Sequence, residues 1–233
     1  MSIVDDPALE RLLTTLHARS QQQEAGVRDY YAEWVKQASP QSDTGIEAFL
    51  RDKAVANFLS DKLVALDREK AEFCYLLCRA NGARRIVEAG TSHGVSTLYL
   101  AAAVRSNVRV AGGDGVVIGT EYEPQKVRAA KAHFEEARLS HLIDLREGDL
   151  RETLARIDGP IDFMLLDIWM PMARPALELV APHLRSGAIV VCDNTARYRA
   201  DYADYFAFLN DPATGFRTVT LPFDGGLELS VRC

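Results

Sequence analysis

Residues 85–101 read RIVEAGTSHGVSTLYLA. An apolar run around Glu88 leads into Gly90 and Gly94, and a helical texture follows from Val95. This is a strand, a glycine-containing turn and a helix. In an open α/β sheet a ligand sits at the carboxyl ends of the strands, where small residues let backbone amides approach it. The glycine spacing is G-x-x-x-G, not the G-x-G-x-x-G of dinucleotide folds, and no phosphate-loop lysine follows. By itself the turn is a weak signal, so its neighbours decide.

Downstream, short β-rich runs alternate with helical ones: GVVIGTEY (115–122), PQKVRAAKAHFEEA (124–137), IDLREG (143–148), DLRETLARI (149–157), IDFMLLDI (161–168), ARPALELVAPHL (173–184) and GAIVVCDN (187–194). Apolar character that is continuous rather than alternating marks strands covered on both faces, as in a parallel sheet. The order predicts an α/β fold, doubly wound around a mostly parallel seven-stranded sheet. The tail departs from the pattern. A helix at 201–210 precedes FRTVTLPF, the turn DGG and LELSVRC, which predicts an antiparallel C-terminal hairpin. Residues 106–120, SNVRVAGGDGVVIGT, lengthen the link into the second strand and read as a glycine turn or small hairpin.

Upstream the texture is helical. Asp6 before Pro7 reads as an N-cap and first helical residue. Leu9, Leu12, Leu13 and Leu16 give one apolar face. A second helix is expected over VRDYYAEWVKQA (27–38), then a loop at 39–45, and a third helix from Ile46 through 59. The fourth runs from Arg68 to Ala80, stopped by Asn81 and Gly82. Residues 1–60 therefore read as a helical cap, and 61–233 as the main α/β domain, in one structural unit. Tyr30, Tyr31 and Trp34 suit packing or a dimer contact.

Composition narrows the function. The chain has 233 residues, 48% hydrophobic and 26% charged, with a net charge of −6. No basic stripe is present for nucleic acid. No apolar run approaches a membrane span, and the N-terminus lacks a signal peptide's basic and apolar regions. The cytoplasm is the expected compartment. Cys74, Cys78, Cys192 and Cys233 lack disulfide or zinc spacing and carry no assigned chemistry.

Several strands end on acids. Glu121 closes the second strand just before a proline-started helix, where it can accept hydrogen bonds from ribose hydroxyls. Asp149 follows the third, where a carboxylate can take an adenine amino hydrogen. Each acid alone also reads as a helix N-cap, but repetition after successive strands favours a ligand. FMLLDIWMP (163–171) and GAIVVCDNT (187–195) repeat the device with Asp167 and with Asp193–Asn194.

At these residues the chain resembles a family. VEAGTSHGVSTL, TEYEP, EGD, LLDIWM, VVCDN and the closing GLELSVR are similar to class I S-adenosylmethionine-dependent methyltransferases. More specifically they resemble the small metal-dependent O-methyltransferases of the catechol and caffeoyl-CoA type, from about Leu63 onward. The resemblance implies a cofactor site built from Val64 (with the backbone of Ala65), Glu88, Gly90, Ser92, Ser96, Glu121, Asp149 and Asp167. It also implies a small-molecule acceptor and a homodimer. Asp167, Asp193 and Asn194 would offer three oxygens to a hard cation such as Mg²⁺, which would hold a vicinal diol, acidify its hydroxyl and orient it. Asp167, Trp169 and His93 are the expected catalytic positions, with Trp169 matching the catechol enzyme's aromatic wall. The chain departs from the family at Met170, where a base lysine usually stands. Either metal acidification suffices, or another base such as His93 acts, or the substrate differs. A metal-independent O- or N-methyltransferase and a non-catalytic cofactor-binding module stay open. Arg197, Tyr198, Arg199 and Tyr202, after the second acid, either line a substrate pocket or are ordinary surface residues. His17, His133, His141 and His183 read as structural.

Overall fold

A computed structural model describes residues 3–37 and 45–233. Most of the loop expected at 39–45 lies outside the described residues. The chain opens with one long helix, α1 (Pro7–Gln37). The Asp6 carboxylate caps it, accepting the N–H groups of Ala8 and Leu9 at 3.1 and 3.2 Å. The two helices expected here are one. Gly26 lies mid-helix with open space around it, and its penalty of about 1 kcal/mol is too small to break a run of good helix formers. The next helix, expected to be continuous, is instead two: α2 (Ile46–Arg51) and α3 (Lys53–Leu59). Asp52 separates them by taking an extended conformation and accepting the Ala54 N–H at 2.7 Å, so a capping aspartate wins over helical periodicity.

Beyond α4 (Arg68–Ala80) come β1 (Arg85–Ala89), α5 (Val95–Ala111), β2 (Val116–Glu121), α6 (Pro124–Glu136), β3 (Ile143–Glu147) and α7 (Leu150–Thr153). Then follow β4 (Ile161–Leu166), α8 (Met170–Val180), β5 (Leu184–Asp193), α9 (Ala203–Asn210), β6 (Phe216–Leu221) and β7 (Leu227–Arg232). The link read as a glycine turn or small hairpin is a short glycine turn: α5 runs to Ala111, Gly112 and Gly113 follow with positive φ, and β2 begins at Val116.

The seven strands lie in the order β3-β2-β1-β4-β5-β7-β6. The first five pair in parallel, and β7 runs antiparallel between β5 and β6. Strand alternation sorts the side chains into two cores. Ile86, Phe163, Leu165 and Val191 pack toward α1, α4 and α5. Val87, Met164, Leu166 and Val190 pack toward α8 and α9. Burial on both faces is why these strands read as unbroken apolar runs. Strand order reverses between β1 and β4, and the crevice at their carboxyl ends is where such sheets bind ligands. No described helix is long and apolar enough to cross a membrane.

Candidate active site

The crevice is shaped first by backbone. Gly90, just past β1, has φ +95°, and a Cβ on it would lie 2.0 Å from the carbonyl oxygen of Asp167. The Asp167 N–H in turn donates to Ala89 O at 3.0 Å. The ends of β1 and β4 are thus drawn together at a contact only glycine permits. Ser92 also has positive φ (50°). Its N–H donates to Glu121 Oε2 at 2.7 Å, and the N–H of Glu123 donates to Oε1 at 2.8 Å. The glycine turn is therefore fastened to the acid that closes β2. Gly94 caps α5 with φ +82°, in close contact with Phe134 of α6.

Glu88 is fully buried beneath this turn. Its carboxylate accepts from Ser96 Oγ at 2.6 Å, Thr91 Oγ1 at 2.9 Å and the hydroxyl of Thr97. Burial pushes its pKa up, and the three hydroxyls oppose that shift. The side chain expected to line a ligand instead braces the turn from below, tying β1 to the first turn of α5.

Above the turn lies a cleft lined by Leu63–Leu66, Gly90–His93, Val95, Ser96 and Asp167. It gathers Val64, Gly90, Ser92, His93, Ser96 and Asp167, all expected from the sequence. Its far wall, residues 63–66, is held by α1: Ser20 Oγ accepts the Ala65 N–H at 2.9 Å, and Gln23 Oε1 accepts that of Leu63 at 2.6 Å. His93 is buried, and desolvation followed by the charges of Lys126 and Arg19 lowers its pKa to about 4. Asp149 follows a turn tied to the end of β2, since the Gly148 N–H donates to Glu121 O at 2.9 Å. Its carboxylate caps α7 and pairs with Arg151, whose hydrogen bonds pull its pKa down to about 2.

At the ends of β4 and β5 the acids meet a partner the sequence reading did not single out. Lys70 of α4, 1% exposed, places Nζ 2.6 Å from Asp193 Oδ1 and 3.1 Å from Asp67 Oδ2. The other Asp193 oxygen accepts from Asn194 Nδ2 at 2.7 Å. Burial raises the pKa of Asp167 well above its ordinary range, with the charges of Asp193 and Glu88 adding and Lys70 opposing. Asp193 shifts up for the same first reason, again opposed by Lys70.

This arrangement does not fit the expected magnesium site. A hard cation needs oxygens facing it, but one oxygen of Asp193 holds an ammonium and the other faces an amide N–H. Removing either partner of a buried ion pair leaves an uncompensated charge, at about 3–5 kcal/mol. Lys70 was legible in one respect: it lies one and two turns before Cys74 and Cys78 on the buried stripe of α4.

The remaining expected residues divide. Trp169 is the N-cap of α8 and 47% exposed. Met170 packs into the core against α8 and α9. Tyr202 is buried and donates to Asp193 O at 3.1 Å. Arg197 pairs with Asp224 at 2.7 Å, and the guanidinium of Arg199 stacks 3.6 Å over Phe206. These three brace the segment after β5. Tyr30, Tyr31 and Trp34 pack around Phe49 and Phe58, as intramolecular packing requires.

Comparison with known proteins agrees with this geometry. A family described as a methyltransferase domain matches residues 87–195. A catechol O-methyltransferase of Mycobacterium tuberculosis is 30% identical over 58% of this chain and 58% of its own length. A putative O-methyltransferase of Mycolicibacterium smegmatis is 31% identical over 58% of this chain and 69% of its length. The chain spans 58–59% of the length of the catechol O-methyltransferases it matches. Among solved structures, the Bacillus cereus O-methyltransferase in complex with S-adenosylhomocysteine shares the fold, with a TM-score of 0.65 and 21% identity over 86% of this chain and 96% of that one. With its sheet order, its glycine turn and these relatives, the chain belongs to the class I S-adenosylmethionine-dependent O-methyltransferases and is similar to those of the catechol type.

Proposed function

We propose that the chain transfers a methyl group from S-adenosylmethionine to an oxygen of a small-molecule acceptor. The observation that carries this reading is the cleft at the reversal of strand order, fastened to Glu121 through the Ser92 N–H and floored by the Gly90–Asp167 contact. Each Glu121 oxygen accepts one backbone N–H and keeps a lone pair for a ribose hydroxyl. Asp149, on the adjoining turn, would take the base. Val64, Ala65, Gly90, Ser92 and Ser96 surround the amino-acid end. When bound, the cofactor supplies an electrophilic methyl on a sulfonium, so the protein's task is mostly alignment and exclusion of water.

Asp167 serves that task at the cleft. It lines the cleft at the end of β4 and is the first candidate to take the acceptor hydroxyl's proton. His93, neutral at physiological pH, lines the same cleft and is the second candidate. Trp169 offers an exposed aromatic face to the acceptor. An aromatic acceptor is in keeping with that face, while a metal-chelated vicinal diol is not required by it.

The test is transfer of label from methyl-tritiated S-adenosylmethionine to a panel of phenols, catechols and hydroxy acids. Protein-dependent labelling of at least one acceptor, reduced at least tenfold in Asp167→Asn, is expected. Absence of label across the panel would favour a non-catalytic cofactor-binding module.

A further inference from the structure

We propose that the Lys70 ammonium is the resident cation of this site, standing where the family resemblance implies a divalent metal. This rests on the methyltransferase reading and deepens it. A single side chain reaches from α4 across 123 positions of sequence to the carboxylate that ends β5. Lys70 is 1% exposed and Asp193 is 5% exposed, so the pair sits within the protein rather than on a solvated face. Unpaired lysines are almost never buried this deeply.

The donor geometry argues for replacement rather than coexistence. Nζ takes Asp193 Oδ1, and Asn194 covers Oδ2 with its amide hydrogen. The Asn194 oxygen is turned the other way, so that a Cβ on Gly225 would lie 2.4 Å from it. Of the three oxygens expected to converge on a cation, two are therefore committed elsewhere. Lys70 also reaches Asp67 at 3.1 Å, and its charge acts on Asp167. One ammonium thus supplies positive charge at the meeting point of three carboxylates.

An ammonium has three N–H donors. Two are directed at Asp193 and Asp67, so a divalent ion would bind at Asp193 only after the ammonium is removed.

The experiment uses the full chain, stripped with EDTA, in the presence of saturating S-adenosylhomocysteine. Mn²⁺ is titrated in, and the electron paramagnetic resonance signal of free Mn²⁺ reports binding. Wild-type protein is expected to leave Mn²⁺ free up to millimolar concentration. Lys70→Met is expected to gain one Mn²⁺ per chain, at least tenfold tighter than wild type, and the added Asp193→Asn change to abolish the gain. Circular dichroism of Lys70→Met checks that it folds, and if it does not, the wild-type titration still decides. Stoichiometric Mn²⁺ binding by wild type, lost in Asp193→Asn, would overturn the proposal, as would a folded Lys70→Met that gains no site. Failure of S-adenosylhomocysteine to bind wild type would overturn the cofactor reading instead, and the Mn²⁺ comparison can then be run without it. EDTA-resistant methyl transfer by wild type is the expected companion result, and EDTA-sensitive transfer restored by Mn²⁺ would contradict it.

Discussion

Glu121 does two jobs with one carboxylate: it closes β2 and holds the N–H of Ser92 in a positive-φ conformation. Glu121→Ala removes a charged acceptor worth about 1.5–3 kcal/mol. S-adenosylhomocysteine affinity should fall roughly tenfold to a hundredfold, measured calorimetrically, while the circular dichroism spectrum stays unchanged. His93 offers a test by pH. Its pKa is about 4 in the folded protein and about 6.5 in the unfolded chain. Below pH 6.5 the unfolded state binds a proton that the folded state does not, so stability from this group is complete above 6.5 and is lost as pH falls toward 4. Urea unfolding at pH 7 and pH 5 should therefore show a smaller loss for His93→Gln than for wild type. Most of this site is legible residue by residue, because Gly90, Ser92, Glu121 and Asp167 follow strand ends in a regular order. Lys70 is not, since a lysine in a helix ordinarily reads as solvated and its partner is far away in sequence. Glu88 was legible as part of the site but not its role, because three nearby hydroxyls could not be assigned to it from spacing.

Among the elements, the β1–α5 unit is the one whose geometry the site cannot do without. Gly90→Ala would place a methyl group against the Asp167 carbonyl at an unfavourable φ. Strain of this kind costs about 3 kcal/mol, and for a chain of this size the melting temperature should drop by roughly 6–12 °C. Cofactor binding should be lost together with that stability, whereas Gly26→Ala, in open space within α1, should raise the melting temperature slightly. Differential scanning fluorimetry with and without S-adenosylhomocysteine checks both. Element types were readable throughout the sheet, where burial on both faces leaves unbroken apolar runs. Element boundaries were not readable at Gly26 and Asp52. A glycine's propensity is too weak to stop a long helix, while an aspartate's side-chain cap divides a short one.

Across the whole molecule, the N-terminal helix is part of the active site's support rather than a detachable cap. Leu9, Leu13 and Leu16 of α1 are buried in the core that includes α4 and α5. Ser20 and Gln23 of the same helix hold the wall at residues 63–66. Leu13→Ala should cost about 2–5 kcal/mol by urea denaturation, and it should weaken S-adenosylhomocysteine binding as well, because the wall is anchored to the helix that loosens. Unaltered binding in a destabilised Leu13→Ala protein would mean that the wall stands independently of α1.

The crevice between β1 and β4 is proposed as a nucleoside–amino-acid cofactor site. Its most direct test is calorimetric titration of S-adenosylhomocysteine into the wild-type chain and into Glu121→Ala, with adenosine alone as a control ligand. One site per chain is expected in the wild type, with much weaker binding of adenosine and a marked loss of affinity in the variant. No heat from wild type up to millimolar ligand, or equal affinity in Glu121→Ala, would contradict it.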